Sequence, residues 1–389
     1  MSTLAERSSV LAPRGPVVLL RAAWPFVVGL AVALAIHGAL GAVDEQYASN
    51  IVTNIAIAIV LAVSLTLVNG FTGQFSIGHA GFMAIGGYVS AAITYYGTAK
   101  LYGDKQPHGG VLSWGLPLGD LPDDWAVLTG GDALFVGAAL VGGLAAAAAG
   151  YVVGLPSLRL RGDYLAIVTL GFGEIVRVLF QSTQDQVTSI DEIRARSAFD
   201  LSNNLGKAVG MASIPVYTTL FWSWLAVAVT VIVTYRLKTS STGRAFLSIR
   251  EDEVAAEAMG VRTTAYKVRA FVLSSFFAGV AGALLAHQTG TFNAGEFGFM
   301  RSFDVVIMIV LGGLGSISGA VLAAILLTLL PEALRGVDQY RMIVYAVMLI
   351  LIMILRPQGL FGVHEVWELP WLRRLFGRTR PKVSVAEDA

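Results

Sequence analysis

The chain has 389 residues, 55% of them apolar and 14% charged, with 27 Lys or Arg against 26 Asp or Glu. Soluble domains carry about 25% charged residues, so a deficit spread along the whole chain excludes a soluble globular class and indicates a polytopic membrane protein. A balanced net charge with no Lys/Arg tract interleaved with aromatics gives no nucleic-acid site, and the absence of cysteine excludes disulfides, iron–sulfur clusters and thiolate metal sites.

Residues 1–24, with Arg7, Arg14 and Arg21, read as a cytoplasmic N-terminal segment that holds a retained first span, Pro25 to Gly41. A spanning helix needs about 20 mainly apolar residues. Span 2 is Ile51 to Val68. The Gly-rich stretch from Asn69 breaks the pattern and leads into span 3, which ends near Tyr96. Residues 97–131 hold only Lys100 and Lys105 as basic residues and are placed outside. Span 4, Ala133 to Val153, is rich in Ala and Gly. The basic turn Leu155 to Gly162 is placed inside, Asp163 is a candidate N-cap, and span 5 is Tyr164 to Phe180. The mixed-charge residues 181–212 are placed outside, and span 6 is Ile214 to Tyr235.

Residues 236–269 carry seven Lys or Arg and four Asp or Glu, and are placed inside. Span 7 is Ala270 to Ala286, and residues 287–302 are placed outside. Phe303 to Leu330 is too long for one ordinary helix and is interrupted by GGLGSISG, Gly312 to Gly319, so it reads as two shorter spans meeting at a bend. Span 10 is Met342 to Leu355, and the basic tail, residues 363–389, is placed inside. Counting Phe303 to Leu330 as two spans gives an even total of about ten and satisfies every loop. The fold expected is an all-α integral membrane domain over residues 25–362. Gly73–Phe82 and Gly315–Ala324 echo each other weakly, as repeats in transporters do.

Within the inner loop, Ser248 to Gly260 has the composition of a short helix with acidic residues in its first turn, suited to the macrodipole, and Gly260 as its stop. Val254, Ala255, Ala258 and Met259 fall on one side at helical spacing. That side either packs on the protein's own membrane face or docks in a groove of a cytoplasmic partner. Glu174 and Arg177 lie one turn apart inside span 5. Ionisable residues there are costly; they are either a mutually neutralising pair facing a neighbouring helix, or an Arg177 that snorkels to the outer interface, or, for Glu174, a group that lines or gates a path. His79 stands without a second histidine, which gives no metal site and favours a hydrogen-bonded packing role. Its neighbours Gly73, Ser76 and Gly78, like Gly312 and Gly315, suit irregular backbone beside a water-filled cavity, or equally close helix packing through small residues. Trp367, Trp371 and Leu372 in the tail suit a membrane surface or a solvated extension.

The blocks FTGQFSIGHAGFMAIGGY (Phe71–Tyr88), LRLRGDYLAIVTLGFGEIVR (Leu158–Arg177), REDEVAAEAMGV (Arg250–Val261), YKVRAFVLSSFFAGVAGAL (Tyr266–Leu284), IVLGGLGSISGAV (Ile309–Val321) and RPQGLFG (Arg356–Gly362) occur in this order. Together they resemble branched-chain amino-acid ABC transporter permeases of the LivM type. AAEAMG also resembles the loop of ABC importer permeases in which two alanines, here Ala255 and Ala256, precede a glycine, here Gly260; the Glu of that motif is Val254 here, with Glu253 one place earlier. The resemblance implies an ABC importer permease with a cytoplasmic coupling helix, in which Arg250, Glu251, Asp252, Glu253, Ala255, Ala256, Glu257 and Gly260 receive motion from the ATPase. It further implies two ATP-binding cassette ATPase subunits carrying ATP and magnesium, a sister permease of the LivH type, a solute-binding protein, a bacterial inner membrane, and leucine, isoleucine and valine as the substrate class, with urea, short amides or other amino acids as alternatives. The chain itself has no G-x-x-x-x-G-K-[ST] and is expected to be neither an enzyme nor a holder of cofactors. An ion-coupled secondary transporter is the rival reading, with Glu174 as its one strong carboxylate.

Overall fold

The computed structural model describes residues 27–36, 46–103, 129–157, 163–334, 340–355, 359–360, 362 and 365. The basic N-terminal segment, most of the 97–131 loop, the Leu158–Gly162 turn and the tail tryptophans lie outside the described residues.

Five helices are long and apolar enough to cross a membrane. They are α2 (Gln46–Leu65, extended by a π-helical turn at Thr66–Gly70), α4 (Gly130–Ser157), α5 (Asp163–Gln181), α8 (Leu220–Thr239) and α11 (Thr263–Thr289). A sixth, α3 (His79–Leu101), has 23 residues, and its Gly, Ser, Thr and Tyr dilute the apolar signal. Four are shorter: α1 (Val27–Ile36), α12 (Phe299–Gly312), α13 (Ile317–Ala333) and α14 (Arg341–Leu355). With a rise of about 1.5 Å per residue, α12 and α13 reach roughly 21 and 26 Å, short of the ~30 Å hydrocarbon core. The expected split of Phe303 to Leu330 at its Gly-rich bend is therefore present, as two helices that pack side by side.

The core is the three-way contact of α3, α4 and α11. Small residues make it possible. A Cβ added at Gly86 would lie 2.2 Å from the backbone of Gly279, and one at Gly142 would lie 2.5 Å from the carbonyl of Gly86. Close backbone approach replaces the large apolar side chains of a soluble core, because lipid supplies no hydrophobic drive between helices.

Several boundaries differ from the sequence expectation. Residues 214–219 are not helical. Ile214 and Thr218 donate their amides to the carbonyls of Gly290 and His287, so this strip pairs with the end of α11 and α8 starts only at Leu220. Residues 181–212, placed outside, fold two short helices, α6 (Ile190–Ala195), which packs on α3, and α7 (Ala198–Leu201). The single helix expected over Ser248 to Gly260 is two, α9 (Ser241–Glu251) and α10 (Glu253–Ala258). Asp252 is extended, at φ −157°, and its carboxylate accepts from the amides of Val254 and Ala255, so it ends one helix and caps the next. Gly260, at φ +85°, takes the left-handed conformation that stops α10.

Candidate functional site

The inner loop presents a small platform. In α10 and just after it, Val254 is 64% exposed and Met259 84%, with Ala255 and Ala258 beside them. This is the apolar side anticipated from the sequence, and it faces away from the protein instead of packing on its own membrane face. The reverse side of α10 is fixed. Ala256 is buried, Glu253 pairs with Lys267 of α11 at 2.6 Å, and Glu257 accepts from the Thr263 hydroxyl at 2.6 Å. Glu251, Asp252 and Gly260 are exposed around the patch.

Arg250 points the other way. Its Nη1 donates to the carbonyl of Gly70 at 3.0 Å, and its Nη2 sits 3.1 Å from Glu251. Both Gly-rich segments close on this side chain. A Cβ at Gly73 would meet the Arg250 side chain at 2.8 Å, and one at Gly315 would meet Nη1 at 2.7 Å. Gly73 also has φ +69°, so the conformation and the contact both require glycine there. The 236–269 loop and the two glycine-rich breaks, separate in sequence, form one structure.

A second clasp lies beside it. Lys238, in the last turn of α8, donates to the Gly315 carbonyl at 2.8 Å and pairs with Glu365 at 2.5 Å. Glu365 in turn accepts from the amides of Ile317 and Ser318 and from the Ser318 hydroxyl, which places a carboxylate on the N-terminus of α13. Burial alone disfavours its charge, but Lys238 and Ser318 outweigh burial and hold the carboxyl below its ordinary range. Neither Lys238 nor Glu365 was singled out by the sequence. Lys238 counted only as one positive charge among seven, and Glu365 lies three residues beyond the last recognisable block.

Deeper in, the chain doubles back between α2 and α3. The Asn69 side chain brackets Ser76, accepting from its amide and donating to its carbonyl, and Ile77 donates to the Thr169 hydroxyl at 3.1 Å. These bonds satisfy irregular backbone where water is scarce. Gly78 lies so near α5 that a Cβ would fall 2.4 Å from the Thr169 carbonyl. His79 is buried, with Nε2 2.7 Å from Ser64 Oγ, which is the packing role. Of the residues expected along a path, Ser76, Gly78, His79, Gly312 and Gly315 are buried, and Gly73 and Glu174 reach the surface of the chain. Glu174 pairs with Arg177 at 2.7 Å and accepts from the Phe299 amide at 3.1 Å.

Residues 47–353 match the family model described as "Branched-chain amino acid transport system / permease component". The chain is 34% identical over 358 residues to the high-affinity branched-chain amino acid transport system permease protein LivM of Escherichia coli strain K12, covering 88% of this chain and 72% of that protein. It is 26% identical over 313 residues to LivH of the same organism, covering 79% and 91%. It is 31% identical over 116 residues to the autoinducer 2 import system permease protein LsrC of Yersinia pseudotuberculosis, covering 28% and 33%. No solved structure matches the chain.

Proposed function

The chain belongs to the branched-chain amino acid transport permease family, as a permease subunit of an ABC importer, and from that we propose that it moves a branched-chain amino acid inward by alternating access. The complex has two ATPase subunits, one of which docks on α10; a LivH-type sister permease forms the other half of the path, and a solute-binding protein delivers the substrate to the outer face. The membrane is the bacterial inner membrane, with both termini in the cytoplasm.

The observation that carries this reading is the α10 platform. An exposed apolar patch on a six-residue helix, anchored from behind by Glu253–Lys267 and Glu257–Thr263, is built to transmit a push. A loosely attached helix would absorb the motion; this one passes it to α11 through the ion pair and to Gly70 and the Gly315 turn through Arg250.

The test is uptake of labelled leucine, valine and urea into vesicles holding this chain with its co-encoded partners, with and without internal ATP. Leucine or valine uptake that needs both ATP and the binding protein is expected. Uptake by this chain alone, driven by an ion gradient and indifferent to ATP, overturns the reading.

A further inference from the structure

The outer surface of the helices is not uniformly apolar, and exceptions lie on two helices joined by the Phe299–Glu174 bond. On α4 the exposed side chains Leu140, Val141, Leu144 and Val152 carry no charge, as a lipid-facing surface should. On α5 and α12 the exposed apolar residues Ile175, Met300 and Phe303 are interrupted by ionisable ones. Glu174 and Arg177 are 37% and 29% exposed, and Asp304 is exposed one turn beyond Met300. Arg301, three residues before Asp304 on the same helix, is partly exposed.

These groups are not at the ends of the helices. Glu174 lies about 16 Å along α5 from its first residue, and Asp304 about 12 Å from the inner end of α12, from the helical rise. In a core of ~30 Å both are near the middle. Two bonds hold α12 at that depth: the Phe299 amide donates to Glu174 at 3.1 Å, and Ser302 Oγ accepts from the Ala80 amide at 3.0 Å. The segment before α12, expected to lie outside, therefore descends into the bundle. A short aspartate side chain cannot reach either interface from there, and a charged group facing hydrocarbon is strongly disfavoured.

We propose that the α5–α12 face is one wall of a water-filled path closed on its other side by the sister permease, and that its charged groups, the Glu174–Arg177 ion pair and the Arg301 and Asp304 side chains three residues apart on α12, give it the charge pattern of a zwitterionic substrate. On each helix the two signs sit one helical turn apart, so an ammonium and a carboxylate carried on one carbon meet partners of both signs while the apolar side chain lies against Met300 and Phe303. The substrate half of the inference rests on the importer reading; the aqueous half does not.

The chain has no cysteine, so single cysteines in it report without background. In the assembled complex, Asp304→Cys and Met300→Cys are expected to react with a membrane-impermeant cationic methanethiosulfonate, and leucine should slow that reaction severalfold. Leu144→Cys on α4 should stay unmodified. Two variants guard against misfolding of either. If both α12 cysteines are as inert as Leu144→Cys, the face is lipid-exposed and the proposal fails. The Asp304→Asn complex should show a severalfold lower ratio of leucine to urea uptake; an unchanged ratio removes Asp304 as a specificity determinant. Loss of ATP dependence in the wild-type complex would count against the importer reading and leave the labelling pattern standing, so the two failures are distinguishable.

Discussion

Lys238 and Glu365, 127 residues apart, meet at 2.5 Å and bring the end of α8, the turn before α13 and the start of the tail to one point. Lys238 is the cation for a carboxylate that already holds the first amides of α13, so the pair joins the 236–269 loop to the start of that helix.

Glu365→Gln should therefore destabilise the assembled permease. Lys238 has only 17% of its side chain exposed and would lose its counter-charge. Removing one member of a buried pair costs about 3 kcal/mol. Thermal unfolding of the purified complex reads this loss. Glu365→Leu combined with Lys238→Met should restore part of it, because no unpaired charge remains.

The same pair sets a pH dependence of known sign. The folded-state carboxyl of Glu365 titrates below its ordinary range, so its stabilisation is complete above the unfolded-state value and is lost as pH falls through the lower folded value. The difference in unfolding temperature between wild type and Glu365→Gln should be constant from neutral pH down to about 5 and shrink below about 4, the usual glutamate range. A difference that shrinks between pH 8 and 6 would point to another group.

Arg250 and Met259 lie in the same loop and should fail differently. Met259→Asp places a charge in the exposed apolar patch and should weaken ATPase copurification by about tenfold or more, the loss typical of a central interface residue. Arg250→Ala leaves the apolar patch untouched; it breaks the pair with Glu251, frees the Gly70 carbonyl and empties the space between Gly73 and Gly315. That variant should keep its ATPase and still hydrolyse ATP while uptake falls. Loss of ATPase binding in Arg250→Ala would show that Arg250 belongs to the docking surface itself.

Much of this was legible in the sequence because membrane helices announce themselves by length. The places of the helices, the bend at Gly312–Gly319 and the apolar side of the coupling segment follow from hydropathy and helical spacing. The break at Asp252 was hidden because aspartate serves equally in the first turn of a helix and as its cap, and only the backbone of the residue before Glu253 decides. The early end of the 287–302 loop was hidden because nothing local marks where Glu174 will anchor Phe299. Glu365 and Asp304 were missed for opposite reasons: one lies in a tail of ordinary polar composition, the other is a single charge in an apolar run whose exposed direction depends on neighbours far away in sequence.

The glycines divide into those that pack and those that do not, and substitution should separate them. A side chain at Gly86 would drive into the Gly279 backbone, which cannot rotate away as a side chain can, so α3 and α11 must move apart. Gly86→Val should cost about 1–3 kcal/mol or more, as overpacking does. Gly137 on α4 and Gly171 on α5 have nothing within 4 Å of an added Cβ. Gly137→Ala should be neutral or stabilise its helix by up to about 1 kcal/mol, from propensity alone. Gly171 lies on the same helix as Glu174, on the proposed wall of the path, so Gly171→Ala should leave the unfolding temperature unchanged or raised while any effect it has appears in leucine uptake. A loss of stability in Gly171→Ala would mean that the sister permease packs directly on that glycine and that the water-filled path does not extend to it.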